Sequence, residues 1–355
     1  MPERVLIVAG GTGGHIYPAL AVAEILRREG VGLRWLGARG GMEERLVTRQ
    51  GIALDTLRVS GLRGRGLIGW LLAPLMVVAA TLQAVAAIRR FNPGVVLGMG
   101  GFVSGPGGLA AFLCRRPLVI HEQNAVAGLT NRVLSHFATR VLQAYPGCFG
   151  ARGIETGNPV RAAIEALTSV PRTPPLGRPT RLLIVGGSRG ARRLNEVLPK
   201  ALGIAAHAVF EVWHQTGEVG LAPTREAYAG HGIKARVDAF IDDMPAAYAW
   251  ADIVVCRSGA MTLAEVTAAG LPSILVPFPH AVDDHQTANA RHLADAGAAV
   301  LVPDAELAPT SLSDLLQSLA ADPTRLADMC QRARQLARPA AAARVAAHCL
   351  ELLRA

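Results

Sequence analysis

Lysine is almost missing from these 355 residues: Lys200 and Lys234 are the only two, so the formal net charge of +9 is carried by arginine. Aromatic residues are scarce too, at 5%, and no Lys/Arg tract is interleaved with them, which makes nucleic acid a poor partner. The basic balance favours other acidic partners, namely anionic lipid or phosphorylated substrates. Five cysteines, at 114, 148, 256, 330 and 349, contain no Cys-x-x-Cys pair. An odd, scattered set argues against a disulfide framework and fits reduced thiols in a cytoplasm. A secretory leader is not expected either, because Met1-Pro2-Glu3-Arg4 runs straight into an apolar strand. Half of the chain is apolar (51%), enough to give each of two ordinary-sized domains a core.

Glycine is what the chain has in quantity, and its placement is informative. Val5-Leu6-Ile7-Val8-Ala9 reads as a buried strand, and Ala19, Ala21, Val22, Ile25 and Leu26 recur at helical spacing. Between them lies Gly10-Gly11-Thr12-Gly13-Gly14-His15, a tight strand-to-helix turn where backbone can approach a ligand and N–H groups point outward. The spacing is not the dinucleotide Gly-x-Gly-x-x-Gly, because His15 takes the slot before the third expected glycine. A helix N-terminus disfavours imidazolium, so a neutral His15 suits a general base. The alternative is a histidine that only caps the turn.

Residues 1–160 alternate. Strands are predicted near 4–9, 33–36, 54–59, 94–98, 117–121, 139–143 and 153–156, with helices near 18–29, 42–49, 67–90, 106–114 and 127–137. This pattern implies an α/β fold with a mostly parallel sheet covered on both faces. A second glycine loop, 98–108, holds six glycines in eleven residues before a helix that starts at Pro106. His121-Glu122-Gln123-Asn124 then ends a strand, where open α/β sheets place ligands. Glu122 reads as a second acid/base, as an orienter, or as a solvated loop carboxylate. The stretch from Gly66 to Ile88 carries no charge and is flanked by Arg63, Arg65, Arg89 and Arg90. It is long enough to span a bilayer. Gly69, Pro74, Thr81 and Gln83 dilute it, however, and the strands on either side must join one sheet. We expect a crossover helix whose apolar part (Trp70, Leu71, Leu72 and Leu75), with the arginines, sits on a membrane surface. The alternative is a buried core helix.

The second half repeats the plan. Prolines 171, 174, 175 and 179 mark 165–180 as an interdomain linker. Strand 181–185 leads into Gly186-Gly187-Ser188-Arg189-Gly190-Ala191, and a helix follows from about 192. Ser188 offers a hydroxyl to a phosphate oxygen. Further strands are expected near 208–213, 235–237, 252–256, 273–276 and 299–302. Strand 253–256 ends in Arg257-Ser258-Gly259-Ala260-Met261-Thr262, a turn built for a diphosphate at a helix start. One turn in, Glu265 suits the two hydroxyls of a ribose, or else caps the helix. Asp283-Asp284-His285-Gln286 opens another helix. Adjacent positions cannot all face one metal ion, so no metal site is assigned there, and Gln286 suits sugar hydroxyls. Residues 309–355 read as three amphipathic helices, the last of which, about 340–355, is expected to return to the first domain.

Together these residues resemble one family closely, over essentially the whole chain. It is the MurG family of bacterial enzymes, which transfer N-acetylglucosamine (GlcNAc) from UDP-GlcNAc to lipid I. The motifs are Gly11-Thr12-Gly13-Gly14-His15, Gly98-Met99-Gly100-Gly101, His121-Glu122-Gln123-Asn124, Gly157-Asn158-Pro159-Val160-Arg161, Gly186-Gly187-Ser188, Phe240-Ile241-Asp242-Asp243-Met244, Arg257-Ser258-Gly259-Ala260, Leu263-Ala264-Glu265 and His285-Gln286. The resemblance implies the GT-B fold: two Rossmann-like domains, 1–161 for the acceptor and 162–339 for the donor, with a cleft between them. It implies inverting transfer, with His15 the first candidate base and Glu122 the second. On the donor side it implies Ile241 at the uracil, Glu265 at the ribose, and Ser188, Ala260, Met261 and Thr262 at the diphosphate. Gln286 and Asn124 fall at the sugar, Arg161 at the hinge, and Thr12, Gly13 and Gly14 beside them. Gly11, Gly100, Gly101 and Ser104 belong to loops for the acceptor's pyrophosphate. Implied partners are UDP-GlcNAc, lipid I, an anionic membrane surface on the cytoplasmic face, and other cell-wall or division proteins; no cofactor or metal is implied. Other enzymes of the same architecture, such as a transferase for a different acceptor or a UDP-GlcNAc 2-epimerase, are the alternatives. Phe102 is a departure, because some relatives carry Tyr there.

Overall fold

The apolar runs pair into two separate parallel sheets. The computed structural model describes residues 3–59, 67–173, 175–187, 190–205 and 209–355, and only the backbone of 67–73 and 282. The chain divides into two compact units, Met1–Arg161 with Ala340–Ala355, and Ala162–Pro339.

The first unit is built on β1 (Arg4–Ala9), β2 (Gly32–Ala38), β3 (Ala53–Leu57), β4 (Val95–Gly100), β5 (Leu118–Glu122), β6 (Arg140–Gln143) and β7 (Gly153–Glu155). They are ordered β3-β2-β1-β4-β5-β6-β7, all parallel. The order reverses between β1 and β4. The loops that leave the carboxyl ends of those two strands stand at the switch point, where open α/β sheets bind ligands. They are the two glycine loops.

Helices cover both faces, so the central strands are continuous apolar runs rather than alternating ones. Val5 and Ile7 of β1 face Ile16, Val22 and Leu26 of the helix Gly13–Arg28, together with Val345, Cys349 and Leu353 of the last helix, Ala341–Arg354. Leu6 and Val8 point the other way, toward Ala84, Ile88, Ala110 and Leu134. The last helix is further tied to this unit by Arg344, whose guanidinium donates to the Thr156 carbonyl at 3.1 and 2.7 Å. The first helix starts at Gly13, not near 18. Glycines carry no hydrophobic pattern and low helix propensity, so packing rather than local preference sets this start.

The second unit holds β8 (Thr180–Val185), β9 (Phe210–Gln215), β10 (Ala235–Asp238), β11 (Ile253–Cys256), β12 (Ser273–Leu275) and β13 (Ala299–Leu301). Their order is β10-β9-β8-β11-β12-β13, again parallel, with the reversal between β8 and β11. The turns 186–191 and 257–262 leave those two strands. The segment 165–180, read as a linker, is instead docked on this unit. Ile164 just before it is fully buried in the core, and the Arg172 guanidinium donates to the carbonyls of Ala269, Ala251 and Tyr248. Prolines set its path without leaving it loose, because one arginine satisfies three helix-end and loop carbonyls.

Candidate active site

In the first unit the two glycine loops interlock. Gly11, Gly100 and Gly101 have φ of +92°, +102° and +86°, a region other residues enter only with strain. A Cβ on Gly101 would overlap the Gly10 carbonyl, and Gly10 N–H donates to the Gly100 carbonyl at 3.4 Å. The indole N–H of buried Trp35 donates to the Ala9 carbonyl at 2.8 Å and fixes the end of β1. His15 falls in the first turn of the helix Gly13–Arg28. Its ring lies against Gly100, where any side chain would collide with it, and its Nδ1 is 3.4 Å from the Thr12 hydroxyl.

Three residues expected at the acceptor's pyrophosphate are engaged within the fold. Ser104 is buried, donates to the Val8 carbonyl at 3.2 Å and accepts from Gly100 N–H at 2.9 Å. It staples β4 to β1, and its hydroxyl and the Gly100 amide are both taken up in that staple. Gly11 N–H is directed to the Glu43 carboxylate at 3.4 Å. The start of the helix at Gly13 and Gly14, with no side-chain cap from Thr12, is the part of this loop suited to an anion. The sequence reading missed Glu43. Phe102 is 55% exposed and its ring borders Gly11.

The strand-end tetrapeptide forms a buried polar network. His121 Nε2–H donates to the Gly157 carbonyl at 3.0 Å, while Nδ1 accepts from the Gln123 amide at 3.1 Å. Burial lowers its pKa to about 4, against smaller raising effects of the Gly157 bond and the Glu122 charge, and keeps it neutral. Gln123 also donates to the Met99 carbonyl, and Asn158 donates to the Gln123 carbonyl. β4, β5 and the strand-end segment 157–158 are thereby locked together. Glu122 is engaged on both oxygens. Oε1 accepts from Asn124 N–H and Nδ2, both at 3.1 Å, and Oε2 from Gly128 N–H at 3.2 Å and Asn131 Nδ2 at 2.8 Å. Both oxygens are taken up by four donors of the 124–131 segment, so of its readings the geometry favours the orienter. Arg161, the last residue before the second unit, lies 5.4 Å from the Tyr17 ring centroid.

In the second unit Gly187 and Gly190 have φ of +80° and +72°. The Gln215 side chain clamps this turn: Oε1 accepts from Gly187 N–H at 3.1 Å, and Nε2 donates to the carbonyls of Gly187 at 3.0 Å and Ala239 at 3.2 Å. Gln215 was also missed, since a lone glutamine at a strand end carries no pattern. Ser188 lies outside the described residues. Across the switch point, the helix Ala260–Ala268 begins after Gly259 with no side-chain cap, presenting Ala260, Met261 and Thr262 in its first turn. Glu265 is half-buried and accepts from the Tyr248 hydroxyl at 3.0 Å. Gln286 Oε1 accepts from Phe278 N–H at 2.9 Å, which aims the amide nitrogen away from that loop. Ahead of it Asp283 and Asp284 both adopt left-handed φ, +51° and +48°, backbone strain of the kind that clusters at ligand sites. Ile241 is buried in the core, which leaves its backbone as the part that can meet a base.

Residues 67–88 of the uncharged stretch lie in the helix Leu67–Phe91. It is not a buried core helix. Leu75, Val78 and Leu82 are 67%, 56% and 63% exposed along one face, whereas Ala80, Ala84, Ala87 and Ile88 are buried against the sheet. Its Pro74–Phe91 part is long and apolar enough to cross a membrane by length and composition, with a mean hydropathy of 1.3. Arg89 and Arg90 are exposed at its end, Arg90 pairing with Asp55 at 2.6 Å. The side chains of Trp70, Leu71 and Leu72, and all of Arg63 and Arg65, lie outside the described residues.

Two nucleotide-type Rossmann units, each with a glycine turn and a polar strand end at its switch point, are the two halves of the GT-B fold. Residues 5–143 match the glycosyltransferase family 28 N-terminal domain, and residues 181–345 the glycosyltransferase family 28 C-terminal domain. The crystal structure of Acinetobacter baumannii MurG superposes with a TM-score of 0.83 at 40% identity, covering 99% of this chain and 100% of that one. A calicheamicin glycosyltransferase, CalG4, at 18% identity and TM-score 0.72, shares the fold alone. The Nitrosococcus oceani UDP-N-acetylglucosamine–N-acetylmuramyl-(pentapeptide) pyrophosphoryl-undecaprenol N-acetylglucosamine transferase is 53% identical, with 99% of each chain covered. The enzyme of the same name from Alkalilimnicola ehrlichii is 55% identical, again with 99% of each covered. The chain belongs to glycosyltransferase family 28 and, within it, to this family of N-acetylglucosamine transferases.

Proposed function

We propose that the chain transfers GlcNAc from UDP-GlcNAc to the MurNAc 4-hydroxyl of lipid I, giving lipid II for peptidoglycan. The observation that carries this is full-length identity above 50% to transferases of that name, in a chain that has both switch-point loops of the fold. In the reaction the acceptor hydroxyl attacks the anomeric carbon as the bond to the diphosphate breaks. UDP leaves with the electron pair, and the anomeric configuration inverts. His15 takes the hydroxyl proton; its seat in a helix first turn against Gly100 supports that role. Glu122 orients the 123–131 loop. In the second unit the helix start at Ala260–Thr262 stabilises the charge that grows on the leaving diphosphate, together with the glycine turn after β8, to which Ser188 contributes a hydroxyl. Glu265 takes the ribose, Ile241 the uracil, and Gln286 the sugar, with Asn124 and Arg161 completing the donor's surroundings. Thr12, Gly13 and Gly14 form the anion-facing start of the first helix, and Gly101 shapes the loop beside it.

The acceptor is lipid-anchored, and the exposed Leu75–Leu82 face with Arg89 and Arg90 supports docking on an anionic bilayer at the cytoplasmic face. Sugar transfer from labelled UDP-GlcNAc to a lipid I analogue, with and without EDTA, tests the proposal. Product in both is expected. Loss with EDTA would overturn the account of leaving-group stabilisation, and consumption of UDP-GlcNAc without acceptor would favour an epimerase.

A further inference from the structure

We infer that Glu43 is a positioning residue for the transfer: its buried carboxylate sets the conformation of the Gly10–His15 loop and so the placement of His15. Glu43 lies in the short helix Met42–Thr48, far in sequence from that loop, and is completely buried. Its Oε1 accepts from Ala38 N–H at 2.6 Å and its Oε2 from Gly11 N–H at 3.4 Å. Three glycines on three different segments make room for it. A Cβ on Gly10, at the end of β1, would overlap the carboxylate, as would one on Gly41 just before the short helix. On Gly37, in β2, a Cβ would lie 2.6 Å from Glu43 Cγ. Burying a carboxylate is costly unless hydrogen bonds compensate, and Ala38 and Gly11 both supply backbone N–H donors. One side chain therefore ties the turn after β1 to the turn after β2.

The consequence for chemistry is local. Gly11 stands between the Glu43 carboxylate and Thr12, which touches His15. A shift of Gly11 is passed to the His15 imidazole through two residues, and small misplacements of a reacting group lower turnover steeply. The groups assigned to the donor's uracil, ribose and diphosphate lie in the second unit, so donor affinity should change far less than turnover.

The inference rests on the transferase reading, and its test has one arm that does not. Glu43→Gln keeps the size of the side chain but sets an amide N–H against one of the two backbone donors. Amide hydrogen exchange is compared in the two proteins. Exchange in residues 10–15 should quicken roughly 10-fold or more in E43Q, while helices elsewhere in the first unit and all of the second unit keep wild-type rates. Kinetically, kcat should fall roughly 10- to 100-fold with the UDP-GlcNAc dissociation constant within about 2-fold of wild type. Gly37→Ala, which presses on Glu43 from β2, should reproduce both effects and provides a second variant should E43Q fold poorly. Unchanged exchange at 10–15, exchange raised evenly across the unit, or wild-type kcat in a folded variant would each overturn the inference. Wild-type protein that shows the protected loop but transfers no sugar would instead sink the transferase reading.

Discussion

The two units share a plan and differ in what lies beneath the glycine turn. In the first, a carboxylate takes the loop amide: Glu43 accepts from Gly11 N–H. In the second, a neutral amide holds the turn: Gln215 both accepts from and donates to Gly187. A buried negative charge weakens the attraction of a nearby anion, whereas a neutral amide leaves the N–H field of the turn intact. The second turn is therefore the better seat for a nucleotide diphosphate. The first is better suited to holding an imidazole that must gain a proton. On the proposed function one half binds charge and the other moves a proton, and a single anchoring side chain in each marks the difference.

The sharpest way to break that comparison is to delete one functional group from each half. His15→Ala should lower kcat by about 10³-fold, within the range for losing a general base, with UDP-GlcNAc affinity near normal. Glu265→Ala should do the reverse, weakening donor binding by on the order of 10-fold or more through lost charge-assisted hydrogen bonds. It should leave turnover at saturating donor much less affected. Steady-state kinetics paired with calorimetric donor titration separates the two. If H15A keeps its turnover, or if both variants lose donor affinity alike, the division of labour is wrong.

What could be read from the sequence follows physical scale. Strand runs such as Val5–Ala9 and Ile253–Cys256 were legible because burial on both faces leaves a continuous apolar signal. The glycine turns were legible because positive φ demands glycine, as at Gly11 and Gly187. The side chains that hold those turns were not. Glu43 looks like any acidic residue in a helix first turn, and the glycines that enclose it, 10, 37 and 41, come together only when β1 and β2 pair. Ser104 misled for the same reason: a hydroxyl in a glycine loop reads as a phosphate contact until β1 is seen to take it. The prolines of 165–180 imitated a linker because composition cannot show that Arg172 finds three carbonyls.

Among the described residues each unit also buries a neutral histidine, which sharpens the comparison through pH. His121 ties the strand ends of the first unit, and His214 bridges Tyr228 and Asn195 inside the second, at 2.9 and 3.1 Å. Burial lowers their pKa values from 6.5 to about 4 and about 3. Below pH 6.5 the unfolded chain binds protons that the folded chain does not, so stability falls as pH drops from 6.5 toward the folded value. For His121 the loss by pH 4 is about 3 kcal/mol. Amide exchange followed in each unit between pH 7 and 4 should show both losing protection. His121→Gln should be less stable at pH 7 but flatter with pH in the first unit only. A wild-type first unit indifferent to this range would mean that His121 charges without cost.

The smallest effect concerns the surface that only the first unit is expected to offer to lipid. Leu75 and Leu82 are 67% and 63% exposed, so exchanging both for Ser leaves the core untouched and tests contact rather than folding. Partial burial of a leucine in a bilayer interface contributes about 1 kcal/mol, so each exchange should weaken vesicle binding by several-fold. Raising the salt should weaken binding separately, by screening Arg89 and the other exposed arginines from anionic headgroups. The two effects should add, because they act on different parts of one helix. Binding that responds to salt but ignores both leucines would mean that the arginines alone hold the protein at the surface. The exposed apolar face would then be left without a lipid to cover it, and the membrane reading of this helix would fail.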